Sequence, residues 1–127
     1  MTFTVDFGQQ FSKEWKQYDS AQKTAVGNFA SIVIAHGLDQ TKLPGKLSAS
    51  WMNANHADHA YAMQHSLWHY HVGYPTYRVN PNGPMTSEWL VHFQHLDKST
   101  HITVVDLYQH YTSNGNFYLP RAPHVGP

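Results

Sequence analysis

The feature that most constrains this chain is the stretch Leu67–Val72, in which aromatic and apolar side chains alternate with histidines. As a β-strand, this stretch places Trp68 and Tyr70 on one face. The opposite face carries His69 and His71, whose positions on a strand are separated by roughly 6.5–7 Å. That separation suits two groups that hold opposite sides of one phosphate or one metal ion. We therefore expect the stretch to form the floor of an active site, with its aromatic face against the core.

Length and composition indicate one globular domain. The chain has 127 residues, of which 41% are hydrophobic, so it can bury a core of its own. Eight Lys and Arg residues balance eight Asp and Glu residues, which argues against a protein that binds nucleic acid through a strongly basic surface. The eleven histidines are the side chains whose charge changes most readily near neutral pH. A bound phosphate can therefore raise the positive charge locally without any effect on the formal count.

The sequence also limits the compartment and the kinds of site. It contains no cysteine, so disulfides and thiolate metal sites are excluded. The longest apolar run, Ala30–Ala35, is too short to span a bilayer, so we expect no membrane association. The N-terminus lacks the basic-then-apolar pattern of a secretory signal. We expect a cytoplasmic protein.

A helical hairpin is predicted in the first third of the chain. Its apolar stripes recur at helical spacing and comprise Phe11, Trp15 and Tyr18 in the first helix and Val26, Phe29, Ala30 and Val33 in the second. The second helix begins at Asp19 or Ser20, with Gln22 placed to complete a capping box. Gly37 is expected to end it.

Most of the remaining elements are predicted to be strands. Residues 2–7 alternate and form a first strand, while Glu88–Leu96 and His101–Gln109 form a hairpin around a polar turn. Residues 48–65 are harder to assign, with a short helix expected over Ala57–His65. The fold class predicted is α+β: a small, antiparallel-rich sheet of about four strands with the helical hairpin packed on one face. The other face is expected to be open for a ligand.

Several short motifs follow this order of elements. They are Asp6-Phe7 and Lys13-Glu14-Trp15 near the start, Lys42-Leu43-Pro44-Gly45-Lys46-Leu47 after the hairpin, His69-Tyr70-His71-Val72, Tyr77-Arg78, and Val104 to His110 followed by Tyr111. Together they resemble the RelE/ParE superfamily of type II toxin–antitoxin toxins, in particular the RelE and HigB branch. The resemblance implies a single RelE-like domain over residues 1–127, with an insertion at 48–66 and an irregular tail at 112–127.

The chain departs from the family pattern in two ways. Histidines stand where RelE has two lysines flanking an apolar residue in the central strand. A second long segment, residues 79–87, leaves open whether Arg78 or a residue near Trp89 occupies the family's arginine position. These differences bear on ribosome dependence more than on the fold.

The resemblance implies an mRNA endoribonuclease that works on the ribosome without a metal or other cofactor. Such cleavage needs a general base for the 2′-OH, a general acid for the leaving oxygen and a cation for the phosphoryl charge. We assign His71 and His110 as the acid–base pair, without deciding which is which. His69 is the next candidate, for binding or charge stabilisation, and Arg78 is the cation because guanidinium matches a phosphate bidentately.

The same resemblance suggests further contacts and partners. Tyr111, or Phe117 and Tyr118 beyond it, is expected to stack on a base of the RNA. Lys42 and Lys46 are expected to contact the RNA backbone. A cognate antitoxin protein is the expected protein partner, and mRNA is the expected substrate.

Two other functions remain open at this level. One is a metal site in which His56, Asp58 and His59 are joined by His69 or His71, since imidazole and carboxylate ligands suit zinc and similar ions. The other is a non-catalytic inhibitor of DNA gyrase in the manner of ParE. Chains of that kind generally lack a clustered acid–base set.

Overall fold

The computed structural model describes residues 2–52, 56–111, 115 and 117–125. Its strands are β1 (Thr4–Phe7), β2 (Leu47–Ala49), β3 (Leu67–His71), β4 (Trp89–Gln94) and β5 (His101–Gln109), and its helices are α1 (Gln9–Glu14), α2 (Ser20–His36) and α3 (His56–Gln64). Short 3-10 segments follow α1 at Trp15–Gln17 and β2 at Ser50–Met52. No helix in the described ranges has the length and apolar character needed to cross a membrane.

The strands form one mixed sheet in the order β1-β5-β4-β3-β2. β1 pairs with β5 in parallel, and the other three pairs are antiparallel. The predicted α+β class with an N-terminal helical hairpin is confirmed. The fifth strand, β2, was not predicted; it is only three residues long and gains its partners by pairing with β3.

The ends of α2 follow directly from the sequence. The backbone N–H of Gln22 donates to Asp19 Oδ1 at 2.8 Å, and the Gln22 side-chain oxygen accepts from the backbone N–H of Asp19 at 2.9 Å. This is the predicted capping box, with Asp19 as the cap. At the other end, Gly37 has a φ of 74° and its N–H donates to the carbonyl oxygen of Val33. A residue without a Cβ adopts that backbone conformation most easily.

One face of the sheet packs against the helical hairpin. The ring of Phe29, on α2, stacks on Tyr70 of β3 with 4.7 Å between centroids and lies 5.4 Å from Phe93 of β4. All three side chains are buried. The prediction that the aromatic face of the central strand faces the core is confirmed.

The opposite face is partly covered, so the prediction of an open face is wrong where α3 and the tail pack on the sheet. A second buried cluster forms there from α3, β3, β5 and the tail; it consists of Ala62, Leu67, Val105, Leu119 and Val125. Apolar residues of the tail pack on this face because the contact removes apolar surface of both the tail and the sheet from water. The uncovered part lies where β3 and β5 end, beside His71 and His110.

We predict that Gly45→Ala destabilises the fold at the edge of the site. A Cβ at this position would lie 1.9 Å from the backbone oxygen of His71, so either the segment before β2 or the end of β3 would have to move. We expect a loss of about 1–3 kcal/mol in the free energy of unfolding, measured by urea denaturation.

Gly27→Ala is the matched control, because a Cβ there meets nothing within 4 Å and the residue lies inside α2. Replacing a helical glycine by alanine is expected to stabilise by about 0.5–1 kcal/mol. Equal unfolding midpoints for the two variants would contradict the close approach at Gly45.

Candidate active site

The face of the sheet that carries His69 and His71 is called the histidine face here. An open cleft of about 480 Å³ lies at its uncovered end. The residues that line it all carry polar groups: Lys46, His71, Arg78, Thr86, Ser87, Glu88, His110 and Tyr111. Strand pairing brings these side chains together. His71, the last residue of β3, pairs with Leu90 near the start of β4, and Trp89 pairs with Gln109 at the end of β5.

His71 and His110 face each other in this cleft. Their ring centroids are 5.5 Å apart, with 32° between the ring planes. His110 lies just beyond β5, and its backbone N–H donates to the carbonyl oxygen of Glu88 at 2.8 Å. The structure therefore places the two histidines assigned as an acid–base pair within reach of one phosphate group.

The backbone of Ser87 supports His71 in both protonation states of one ring nitrogen. Nδ1 of His71 lies 2.9 Å from the carbonyl oxygen and 2.9 Å from the backbone nitrogen of Ser87. A protonated Nδ1 can donate to that oxygen, and an unprotonated Nδ1 can accept from that N–H. Within the described residues, Nε2 has no hydrogen bond. Such support suits a residue whose ring gains and loses a proton.

Burial sets the charge of the pair. Desolvation lowers the pKa of His71 to about 4, and the nearby positive charge of Lys46 acts in the same direction. Burial and the Lys46 ammonium also lower the pKa of His110. Both imidazoles are therefore neutral at pH 7 in the free protein. A bound phosphate would raise the pKa of each, because its negative charge favours the imidazolium.

Two further histidines lie beneath the cleft. His69 is 1% exposed, its Nδ1 lies 2.9 Å from Ser50 Oγ, and its ring is 6.1 Å from that of His71. His92 stands opposite His69 in the β3–β4 register and is completely buried. Neither ring nitrogen of His92 has a hydrogen-bond partner among the described residues. Burial lowers the pKa of His69 well below its ordinary value and that of His92 to about 3.

The cations of the cleft are Lys46 and Arg78. The guanidinium of Arg78 lies 3.8 Å from a carboxylate oxygen of Glu88, and both side chains are at least half exposed. An exposed pair at this distance is weak, so the guanidinium remains available to an anion. Sequence reasoning missed Glu88 and Ser87 as parts of the site. Their place follows from the pairing of β3 with β4, which the sequence pattern alone does not define.

The aromatic residues assigned to RNA binding occupy different places. Tyr111 lines the cleft, is 56% exposed, and has its ring 4.2 Å from that of His110. Phe117 packs 5.2 Å from both His69 and His110. Tyr118 does not line the cleft, because its hydroxyl donates to Asp106 and its ring packs on Tyr108.

Lys42 is also outside the cleft, on an exposed turn that precedes β2. Only Lys46, of the two lysines assigned to the RNA backbone, lies beside the histidine pair. Gly45 lies against the backbone at the end of β3, and Lys46 is the next residue, so Lys46 lies beside His71. Lys42 comes before this close contact and lies on the turn.

The metal site proposed from the sequence is not assembled in the described residues. Asp58 pairs with Arg121 at 2.7 Å, and Nδ1 of His59 lies 2.8 Å from the backbone oxygen of Trp51. The side chain of His56 lies outside the described residues. The imidazoles around the cleft do not converge on one point either. Among the described residues, the group with ligand atoms within 4.8 Å of one another is Glu14, Asp106 and His124.

Comparison with known proteins gives one distant structural similarity. No protein-family model and no curated protein matches the chain. A solved structure of the Escherichia coli toxin RelE, a double arginine-to-alanine mutant in the free state, is similar over 90% of each chain, with 12% sequence identity and a TM-score of 0.47. At that distance the similarity transfers no activity or partner to this chain.

We predict that His92→Leu stabilises the protein and weakens its sensitivity to acid. A buried imidazole without partners costs about 1–3 kcal/mol, which an apolar side chain removes. The pKa of His92 is about 3 in the folded protein and near 6.5 when unfolded. The unfolded chain therefore binds more protons between these values, and stability falls as the pH falls through that window. At pH 5 this one residue accounts for a loss of about 2 kcal/mol.

The measurement is urea denaturation of wild type and variant at pH 7 and pH 5. His36→Leu is the control, because His36 is exposed at the end of α2 and has no buried ring nitrogen. A variant that loses as much stability between the two pH values as wild type would contradict the assignment of His92 as a buried neutral imidazole.

Proposed function

We propose that this chain is an endoribonuclease that cleaves RNA by metal-independent acid–base chemistry. The observation that carries the proposal is the pair His71 and His110, 5.5 Å apart in a cleft that also contains Lys46 and Arg78. Two imidazoles and two fixed cations are the groups that phosphodiester cleavage through a 2′-OH requires.

The burial of the two histidines favours one division of roles. His71 is the more deeply buried, and its lowered pKa keeps it unprotonated, so it serves as the base. It removes the proton from the 2′-OH, and the resulting oxygen attacks the adjacent phosphorus. His110, the more accessible ring, gives its proton to the 5′-oxygen as the P–O bond breaks. The products are a 2′,3′-cyclic phosphate and a free 5′-hydroxyl.

The surrounding residues fit the same reaction. Arg78 and Lys46 stabilise the charge that develops on the phosphoryl oxygens. The exposed ring of Tyr111, beside His110, offers a surface on which a base next to the scissile bond can stack. His69 lies too deep to touch the phosphate, and its ring packs 6.1 Å from that of His71 and 6.3 Å from that of His110.

The biological setting is part of the proposal. The motifs that resemble the RelE/ParE superfamily support a toxin of a toxin–antitoxin system, with a cognate antitoxin as partner and mRNA on the ribosome as substrate. The small number of cations in the cleft favours a substrate that another assembly, such as the ribosome, holds in place.

We predict that His71→Ala and His110→Ala each lower the rate of RNA cleavage by about 10²–10⁴-fold, the usual contribution of general acid–base catalysis. The measurement is cleavage of a labelled RNA with and without ribosomes, together with growth after induced expression. His36→Ala serves as the control, since that side chain is exposed and remote from the cleft.

Two further conditions sharpen this test. An RNA with deoxyribose at the cleaved position should resist the enzyme, and EDTA should leave the rate unchanged. Equal rates for wild type and both cleft variants would remove the assignment. A protein that degrades no RNA in either assay but traps cleaved DNA complexes of gyrase would favour the ParE-like function.

The pH dependence of kcat/KM gives an independent prediction. The active form has His71 unprotonated and His110 protonated. Activity should therefore rise as the pH increases through about 4, the pKa of His71. At higher pH it should fall as His110 loses its proton, and the midpoint of this fall should lie below the ordinary histidine pKa of 6.5, because the pKa of His110 is also lowered. In His110→Ala the alkaline limb should disappear. A profile that rises steadily up to pH 8 would contradict these roles.

A further inference from the structure

We propose that Glu14, Asp106 and His124 bind a first-row divalent metal ion, with zinc as the representative. The three residues lie on separate parts of the chain: α1, β5 and the tail. None of them lines the catalytic cleft, so this inference is independent of the proposed nuclease activity.

The distances between the ligand atoms support such a site. Nε2 of His124 is 2.9 Å and 3.0 Å from the two carboxylate oxygens of Glu14 and 3.6 Å from Oδ1 of Asp106. Ligands held about 2.1 Å from a tetrahedral zinc ion are separated from one another by about 3.4 Å. One ligand atom from each of the three residues lies within 4.8 Å of the others, so one ion can lie among them. A water molecule would complete the coordination.

The charge of the cluster is a second, independent argument. Two carboxyl groups share this cluster with one imidazole, and Asp106 is only 3% exposed. The other groups that hydrogen-bond to these carboxylates are neutral: Gln10 and Tyr18 on Glu14, and Tyr118 and the Leu107 backbone N–H on Asp106. No Lys or Arg in the described residues pairs with either carboxylate. A divalent ion would supply the metal or cationic partner that buried carboxyl groups usually have.

The donor set indicates the class of metal. One imidazole nitrogen with carboxylate oxygens suits zinc and neighbouring transition metals, whereas magnesium and calcium prefer all-oxygen sites. The ion would fix the tail to α1 and β5.

The test is thermal unfolding of the full chain after dialysis against EDTA, with zinc or magnesium added back. We expect zinc, and not magnesium, to raise the melting temperature by roughly 5–10 °C once it exceeds its dissociation constant by about a hundredfold. The shift should vanish in His124→Ala and in Glu14→Gln, which keeps the shape of the side chain. It should persist in His71→Ala, which removes a cleft histidine.

X-ray absorption of the zinc-loaded protein provides a second readout that does not depend on the variants' folding. A spectrum with one imidazole and oxygen ligands supports the site. A spectrum with several imidazoles would place zinc on the cleft histidines and overturn the proposal. Absence of any zinc-dependent shift, or an equal shift in wild type, His124→Ala and Glu14→Gln, would overturn it as well.

Discussion

The stack of Phe29 on Tyr70 is the contact on which the cleft depends, because it fixes which face of β3 meets the helices. Side chains alternate along a strand, so a slip of one residue would move every side chain of β3 to the opposite face. His69 and His71 would then lie under α2, and Tyr70 would lose its place in the core. The burial of this aromatic pair thus stabilises the packing of α2 on β3, and it also places the imidazoles on the side of the cleft.

The histidine face combines packing with chemistry at some cost in stability. Desolvation favours the neutral form of each buried imidazole, which lets several of them lie close together without charge repulsion. The same burial leaves His92 without hydrogen-bond partners among the described residues. Towards the cleft the rings become more accessible, and at His71 the Ser87 backbone supports either protonation state. The imidazoles of this face therefore differ in their surroundings: His71 and His110 line the cleft, whereas His69 and His92 do not.

Local signals predicted the elements well. β5 spans His101–Gln109, as the alternating pattern indicated, and α2 begins with the capping box of Asp19 and Gln22, as the cap residues indicated. These signals depend on neighbours within a few positions. β2 was missed because three residues carry no usable periodicity. The cover formed by the tail was missed because the burial of Leu119 depends on a surface built by distant parts of the chain.

The sequence by itself determined which side chains share a face, since alternation and helical spacing are properties of the local backbone. It therefore placed His71 with His69 and identified His110 as a residue at the end of a strand. Only the tertiary structure decided that His71 and His110 meet, that Lys46 joins them while Lys42 does not, and that Tyr118 turns to Asp106. Those outcomes depend on strand register and on long-range burial, which arise when separate segments compete for the same apolar surface.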